Sequence, residues 1–252
     1  MTNEMIIHLR PNEVTVETVR EGRRSVKNTN IEALQEVLTR GEKMETPLLP
    51  APFGVVKYTR VNNMEQYVIA TPQQRYDAKF DMRGENGEGI VDYKIVAPAS
   101  LWIIHVKHDP ARDTRQYAHG VAYALKNPIL GLSDQLYRFP FSNTNGDYLC
   151  WGSSRDNPEL AGSKSVQSIP DRFFQNPFNS DLDGGKYRPI EATVNGRRIV
   201  RERCIHLLQH MDGKIKEAEE KGETYSFEND ILRTSDFTLE SAIRHWGRQY
   251  LR

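Results

Sequence analysis

The sequence has little cysteine and no excess of charge of either sign, and each shortage excludes a class of protein. Two of the 252 residues are cysteines, Cys150 and Cys204, which is too few for a disulfide framework or a metal site built on four thiolates. The 34 basic and 34 acidic residues give a net charge of +0. The chain therefore lacks the basic excess of a general nucleic-acid binder, and we expect no nucleic-acid partner.

Long apolar segments are also missing. No run approaches the roughly 20 apolar residues that a membrane helix needs, and the polar start MTNEMIIHLR is not that of a signal peptide. We therefore expect no membrane partner. Since two isolated thiols are compatible with a reducing compartment, the expected location is the cytoplasm.

Successive β-type segments predict a sheet in the middle of the chain. Between residues 54 and 125 the helical period is absent, and turn-forming residues separate strand patterns at 55–58, 67–70, 90–96, 101–106 and 117–125. Consecutive strands with short connections predict an antiparallel meander. The segment before the meander contains shorter strand patterns at 5–9 and 14–16, a helical spacing at 30–38 and a proline-rich crossing at 46–52.

Helical patterns return near the end, at 205–221 with a stop at Gly222, and at 236–246. Strands followed by helices predict an α+β fold. We expect an N-terminal strand and helix extension over residues 1–45, and a main domain with C-terminal helices over residues 46–252.

Residues 140–183 form the most informative segment. They are rich in Asn, Ser, Asp, Gly and Pro, and the segment is far longer than the usual loop of about 4–6 residues. Interspersed aromatic residues argue against disorder, so an ordered, functional region is expected here. Its cysteine, Cys150, ends a short extended piece after the turn signal Asn145-Gly146. Such a thiol is either an exposed nucleophile or a buried structural cysteine. If it is a nucleophile, nearby amides would stabilise the oxyanion that forms at the attacked carbonyl.

The stretch 136–151 resembles the active-site segment of ubiquitin-conjugating enzymes, in which a strand leads to a His-Pro-Asn motif, an Asn-Gly turn and the thioester-forming cysteine. More closely, the chain is similar to the prokaryotic ubiquitin-conjugating enzyme-like family D, which includes protein B of the PRTRC systems. The similarity lies in the order of five motifs between residues 46 and 183, which are Pro-Leu-Leu-Pro at 47–50, VAPASLW at 96–102, YRFPFSN at 137–143, Cys-Trp-Gly at 150–152, and Phe173-Phe174 with PFNSDL at 177–182.

This resemblance implies a ubiquitin-conjugating-like fold and transthiolation, without a metal or organic cofactor. A ThiF-like activating enzyme would pass a ubiquitin-like protein to Cys150, and an acceptor protein would then take it, in a bacterial or mobile-element system. Asn143 is implied as the donor to the oxyanion. Phe141-Ser142-Asn143 replaces His-Pro-Asn, and Asn143 precedes Cys150 by only seven residues, so Asn145 is a competing candidate. The alternative function is a non-catalytic binding module that recruits a ubiquitin-like partner.

Other residues admit weaker interpretations. Asp147 and Asp156 flank the cysteine as candidates for orienting an amine or as turn residues, and Trp151 is a candidate for a partner surface or for packing. A cysteine hydrolase would need a histidine beside Cys150, for which the candidates are His105, His108 and His119. His206 and His210 have the spacing of one helix face but no third metal ligand. The arginines at 197, 198, 201 and 203 form a local basic cluster typical of a solvated surface or an anion site.

Overall fold

A computed structural model describes residues 4–10, 13–20, 23–29, 44–49, 53–85, 87, 89–109, 112, 114–129, 131–151, 159–160, 163–194 and 197–251 of the chain. The chain divides into two compact units, Met1–Lys43 and Met44–Arg252. The helical pattern predicted at 30–38 and the candidate Asp156 both lie outside the described residues.

The first unit contains a three-stranded antiparallel sheet. Its strands are β1 (Glu4–Arg10), β2 (Glu13–Arg20) and β3 (Arg23–Thr29), in the order β1-β2-β3. The pairing sets Ile7 opposite Val16, and Val16 opposite Lys27. Short connections between strands permit this antiparallel arrangement, and the two strand patterns expected at 5–9 and 14–16 are confirmed.

The second unit is built on a large antiparallel sheet whose main path runs β12-β13-β10-β9-β6-β5-β4. The strands of this path are β4 (Met44–Glu45), β5 (Gly54–Val61), β6 (Met64–Thr71), β9 (Ser100–Asp109), β10 (Thr114–Ala124), β12 (Thr144–Asn145) and β13 (Tyr148–Leu149). A two-residue turn joins β5 to β6, and Asn62 adopts a φ of 55° there, a conformation that asparagine tolerates.

Further strands complete or flank this sheet. β11 (Gln135–Arg138) pairs with β10 and β17 (Thr234–Thr238), and β14 (Glu159–Leu160) pairs with β10. Two separate hairpins are formed by β7 (Gln74–Asp81) with β8 (Ile90–Ala97), and by β15 (Ile190–Val194) with β16 (Arg197–Arg201). The helices are α1 (Ser163–Val166), α2 (Ile169–Gln175), α3 (Cys204–Glu220) and α4 (Leu239–Tyr250), with short 3-10 turns at Met82–Glu85 and Asn229–Ile231. No helix in the described ranges is long and apolar enough to cross a membrane.

The large sheet is covered on both sides, which explains the continuous apolar run of β9. Its first face packs against α2 and the aromatic residues of the 139–178 region, and α3 joins the same cluster through the β7–β8 hairpin. The cluster contains Trp102, Phe139, Phe141, Phe173, Phe174, Phe178, Cys204, Leu207, Leu208 and Met211. Its second face packs against α4, in a cluster that contains Val68, Leu101, Ile103, Val121, Tyr123, Leu239 and Trp246. A strand that is buried on both faces needs apolar residues at successive positions rather than alternate ones.

The mixed architecture agrees with the predicted α+β class, and the strands expected between 54 and 125 are confirmed. The predicted meander is confirmed only for β5, β6, β9 and β10, because β8 pairs with β7 in a separate hairpin. The pattern at 117–125, which fits a strand or a helix, is the strand β10. Helix α3 is confirmed, and Gly222 follows its end with a φ of 70°. The last helix was expected to start at Asp236. It starts at Leu239 instead, because Asp236 and Phe237 belong to β17 and a capping box of Thr238 with Ser241 opens the helix.

Candidate functional site

Cys150 lies at the end of a tight hairpin, residues 143–150, which we call the Cys150 hairpin. Strands β12 and β13 pair Thr144 with Leu149 and Asn145 with Tyr148. Asn143 at one end and Gly146 in the turn have φ values of 63° and 62°, a region that favours asparagine and glycine. The N–H of Cys150 donates to the carbonyl of Asn143 over 2.7 Å. This bond closes the hairpin, so that Asn143 and Cys150 lie side by side.

Three contacts from distant parts of the chain hold the Asn143 end of the hairpin. The Asn143 Nδ2 donates to the carbonyl of Pro177 over 3.0 Å. The N–H of Ser142 donates to the Sγ of Cys204 over 3.4 Å. The Lys186 Nζ donates to the carbonyl oxygen and the Oγ1 of Thr144 over 2.5 and 2.6 Å. Because each contact comes from a separate segment, the backbone of Asn143 is fixed relative to the main sheet.

Cys150 lines a cleft of about 500 Å³, which we call the Cys150 cleft. The described residues that line it are Asn143, Cys150, Trp151, Asn176, Pro177, Asn179, Asp181 and Leu182. Cys150 itself is half-buried, whereas Asn143 is buried. A carboxamide has two N–H donors, and the bond to Pro177 uses one of them. The arrangement brings the residue of a candidate thiol nucleophile and that of a candidate oxyanion donor to one cleft.

The second candidate amide, Asn145, is placed differently. Its residue is exposed and lines a neighbouring cleft of about 450 Å³ with Asp147, Lys186 and Asp236. Asp181 and Leu182 form the part of the wall that the two clefts share. The structure therefore brings Asn143 to the Cys150 cleft and places Asn145 in the neighbouring one.

The two cysteines have different environments. Cys204 begins α3 within the core, and burial raises the pKa of its thiol to about 11 although the N–H of Ser142 opposes this effect. Its own N–H donates to the Asp183 carboxylate. Because the thiolate is the reactive form, Cys204 has the properties of a structural cysteine.

Asp147 and Trp151, which flank Cys150, are held by packing. Burial raises the pKa of the Asp147 carboxyl, and the hydroxyl of Tyr123, which donates to its Oδ2 over 2.9 Å, opposes this effect. The Trp151 ring is buried edge-on to Tyr117, with the ring centroids 5.8 Å apart. Trp151 thus both lines the cleft and belongs to the core.

The histidines lie elsewhere in the part of the chain that the structure describes. His105 and His119 face each other across β9 and β10, and His119 stacks on Tyr250 of α4 with 4.0 Å between ring centroids. Burial lowers the pKa of His119 to about 4, and burial together with the charge of His119 lowers that of His105 to about 3. No histidine is among the described residues that line the Cys150 cleft. The geometry therefore does not favour a Cys–His dyad.

His108 and His210 have carboxylate neighbours. The His108 Nδ1 lies 3.6 Å from Glu65, and the His210 Nε2 lies 3.0 Å from Glu228. In the ranges that could be described, no three His, Cys, Asp or Glu side chains are grouped as a metal site would require. His206 and His210 therefore gain no third ligand from those ranges.

Sequence reasoning missed Lys186, and it singled out the segment 177–182 only as a motif, not as a part of the cleft. The segment 177–182 could be found through its order in the motif series, but nothing in the local pattern of Lys186 indicates that its ammonium group binds Thr144, 42 residues earlier. Such a contact depends on tertiary approach alone.

Comparison with known proteins adds no assignment to this geometry. No family model, no curated protein and no solved structure matches the chain.

Proposed function

We propose that the chain is a ubiquitin-conjugating-like thioester transferase with Cys150 as its nucleophile. It would receive a ubiquitin-like protein from a ThiF-like activating enzyme and pass it to an acceptor nucleophile. The observation that carries this proposal is the closed Cys150 hairpin, in which the 2.7 Å bond from Cys150 to Asn143 brings a half-buried thiol and an amide donor to one cleft.

The chemistry needs two acyl transfers. The Cys150 thiolate attacks the thioester carbonyl of the incoming protein, an oxyanion forms, and the thiolate of the activating enzyme leaves. An amine of the acceptor then attacks the new thioester, the Cys150 thiolate leaves, and the amine loses a proton to form the amide. The second N–H of Asn143 is the proposed donor to the oxyanion in each step.

Topology supports the proposed ubiquitin-conjugating-like fold of residues 46–252. Strands β5, β6, β9 and β10 are neighbours in the sheet and antiparallel, with the β7–β8 hairpin inserted between β6 and β9. The Cys150 hairpin follows this meander and pairs with β10, and helices come after it. This is the order that the resemblance implies.

The binding-module alternative is favoured by one observation. The Asn143 amide already donates to Pro177, which is also what a purely structural asparagine would do. A carrier and a binding module differ in whether Cys150 accepts and releases an acyl group, so a direct acyl-transfer assay separates them.

The assay uses a peptide ending in glycine, supplied as its mercaptoethanesulfonate thioester, and follows the intact mass of the protein. We expect wild type to gain one acyl group that hydroxylamine removes, and to transfer it to added lysine. Cys150→Ser should gain no hydroxylamine-labile group. Cys204→Ser, the same change at the other cysteine, should behave as wild type because its hydroxyl can still accept from Ser142. Absence of labile acylation on wild type, or acylation that persists in Cys150→Ser, would contradict the carrier function.

A further inference from the structure

The far end of the Cys150 hairpin is connected to α4 by two hydrogen bonds in series, one buried and one partly buried. The Nε1 of Trp246 donates to the hydroxyl oxygen of Tyr123 over 2.9 Å. That hydroxyl in turn donates to the Oδ2 of Asp147 over 2.9 Å. Tyr123 and Trp246 are both buried, with relative exposures of 0% and 4%. Asp147 is thus the end point of a hydrogen-bonded chain that starts on the helix on the second face of the sheet.

The next residue is tied to the same helix by packing. The ring of Tyr148 lies edge-on to Trp246, with 4.9 Å between centroids, and edge-on to His119, with 4.7 Å between centroids. Its backbone pairs with Val121 of β10. The backbone carbonyl of Asp147 also accepts from the N–H of Ala122 over 3.1 Å. Two consecutive residues of β13 and its turn therefore depend on β10 and α4, and Cys150 follows after one more residue.

We propose that Tyr123 and Trp246 are positioning residues for Cys150. They fix Asp147 and Tyr148, and with them the direction in which β13 delivers the thiol to the cleft. Neither residue is among those that line the Cys150 cleft, so both act through the hairpin backbone. The inference rests on the proposed function in taking Cys150 as the reacting group.

The physical reason is that Asp147 precedes Cys150 by only 3 residues, so a shift of Asp147 is transmitted to the thiol. Asp147 is a half-buried carboxylate, and loss of the Tyr123 hydroxyl would leave its Oδ2 without that donor. The carboxylate would then gain from turning toward the neighbouring cleft that it already lines, and β13 would turn with it. A displacement of about 1 Å at a reacting atom can cost about 100-fold in rate, so a partial displacement is enough for a measurable effect.

The test compares variants in transfer of the glycine peptide from its mercaptoethanesulfonate thioester, through the full-length protein, to lysine. In Tyr123→Phe we expect kcat to fall about 10-fold while the KM for lysine stays within about 2-fold. Trp246→Phe keeps an aromatic ring and removes only the first donor, so it should show a smaller fall in kcat. Tyr67→Phe is the matched control, since Tyr67 is also a buried phenol that donates to a carboxylate, Glu65, over 2.9 Å. It should transfer at the wild-type rate.

Rescue and non-additivity separate positioning from general stability. Asp147→Asn retains an acceptor oxygen for Tyr123 and should keep kcat close to wild type, whereas Asp147→Leu should lose as much as Tyr123→Phe. The double variant Tyr123→Phe/Asp147→Leu should be no slower than either single variant, because both cut the same bond. Thermal unfolding of each variant identifies any that fail to fold. If Tyr123→Phe or Asp147→Leu is among them, the kcat values of Trp246→Phe and Asp147→Asn decide whether the positioning role stands.

A kcat for Tyr123→Phe equal to that of Tyr67→Phe, or additive losses in the double variant, would overturn the positioning role even though wild type is charged. If wild type is not charged at all, the proposed function fails, and the alkylation rate of Cys150 by iodoacetamide becomes the measurement. A several-fold difference from wild type in Tyr123→Phe, absent in Tyr67→Phe, would then support positioning of the thiol. Equal alkylation rates would overturn it.

Discussion

The two faces of the large sheet differ in the partners that they give to buried titratable side chains. On the first face, a buried charge is surrounded by donors: the Glu65 carboxylate accepts from Tyr58, Tyr67 and Arg115, each over 2.9 Å. On the second face, both ring nitrogens of His119 and the Nδ1 of His105 are buried without a hydrogen-bond partner. The first face also bears the Cys150 cleft. The sheet thus buries a carboxylate where three donors meet it, whereas the histidines beneath α4 are buried without an opposite charge.

The Glu65 carboxylate shows how partners decide the outcome of burial. Burial alone raises its pKa, but the hydrogen bonds from Arg115, Tyr67 and Tyr58 outweigh burial and leave the pKa lowered. His105 and His119 receive no such compensation from an opposite charge, and burial lowers their pKa values. The large sheet thus holds a carboxylate with a lowered pKa, Glu65, on one face and two histidines with lowered pKa values on the other.

The largest expected effect concerns the two thiols of the first face. A pKa raised from 9.0 to about 11 lowers the thiolate fraction of Cys204 about 100-fold, and burial restricts reagent access further. Iodoacetamide should therefore alkylate Cys204 at least about 100 times more slowly in the folded protein than in guanidinium chloride, and more slowly than Cys150, which lines the cleft. Peptide mapping by mass spectrometry measures both sites, and equal rates should appear in guanidinium chloride. Faster labelling of Cys204 than of Cys150 in the folded state would contradict the environments described.

A smaller effect is expected from removing the candidate oxyanion donor. Asn143→Gly keeps a residue that tolerates the φ of 63° but removes the amide, so transfer of the peptide to lysine should slow about 10- to 100-fold. The alkylation rate of Cys150 should change little, because alkylation forms no oxyanion. Asn145→Gly, two residues away on the neighbouring cleft, is the control and should transfer as wild type. If Asn145→Gly is the slower variant, the roles of the two amides are reversed.

The second face should show its difference in the dependence of stability on pH. Both histidines have folded pKa values below the unfolded value of about 6.5, so the unfolded chain binds protons first. Stability is then complete above that pH and is lost as pH falls toward about 4. His119→Phe keeps the stacking on Tyr250 and removes one titration, so unfolding free energy should fall by about 1–2 kcal/mol less between pH 7 and pH 5 than in wild type.

Urea unfolding at several pH values measures this effect. His245→Phe, the same change at an exposed histidine of α4, provides the control. A His119→Phe curve parallel to wild type would show that His119 does not carry the acid sensitivity, and the contrast between the two faces would be lost.

The sequence was most informative where local pattern and final environment agree. The apolar run at 101–106 predicted a strand because β9 is buried on both faces, and the helical spacing at 205–221 predicted α3 because its apolar side meets the core. The strand β7 was not predicted, because its sequence alternates charged residues with few large apolar ones. The last helix was placed too early because pairing of β17 with β11, a tertiary contact, overrides the local helical pattern at Asp236 and Phe237.

The residues of the candidate site also differ in whether the sequence alone could predict them. Cys150 could be singled out from its turn signal and motif order, and Asn143 from its place in the resemblance. The preference for Asn143 over Asn145 at the cleft could not be read from spacing, because it depends on the hairpin register and on the bond to Pro177. The anchors Lys186, Tyr123 and Trp246 lie 42, 24 and 123 residues from the partners they bind, distances at which no local pattern reports a contact.

The late position of Trp246 also matters while the chain is being made. Trp246 lies 96 residues beyond Cys150, so at about 5–20 residues per second the ribosome needs on the order of ten seconds to produce α4 after the hairpin. During that interval the apolar second face, with Leu101, Ile103 and Val121, lacks its helical cover. Nascent chains will therefore expose this surface to chaperones, and codon choice or stalling between the hairpin and α4 will set how long the exposure lasts.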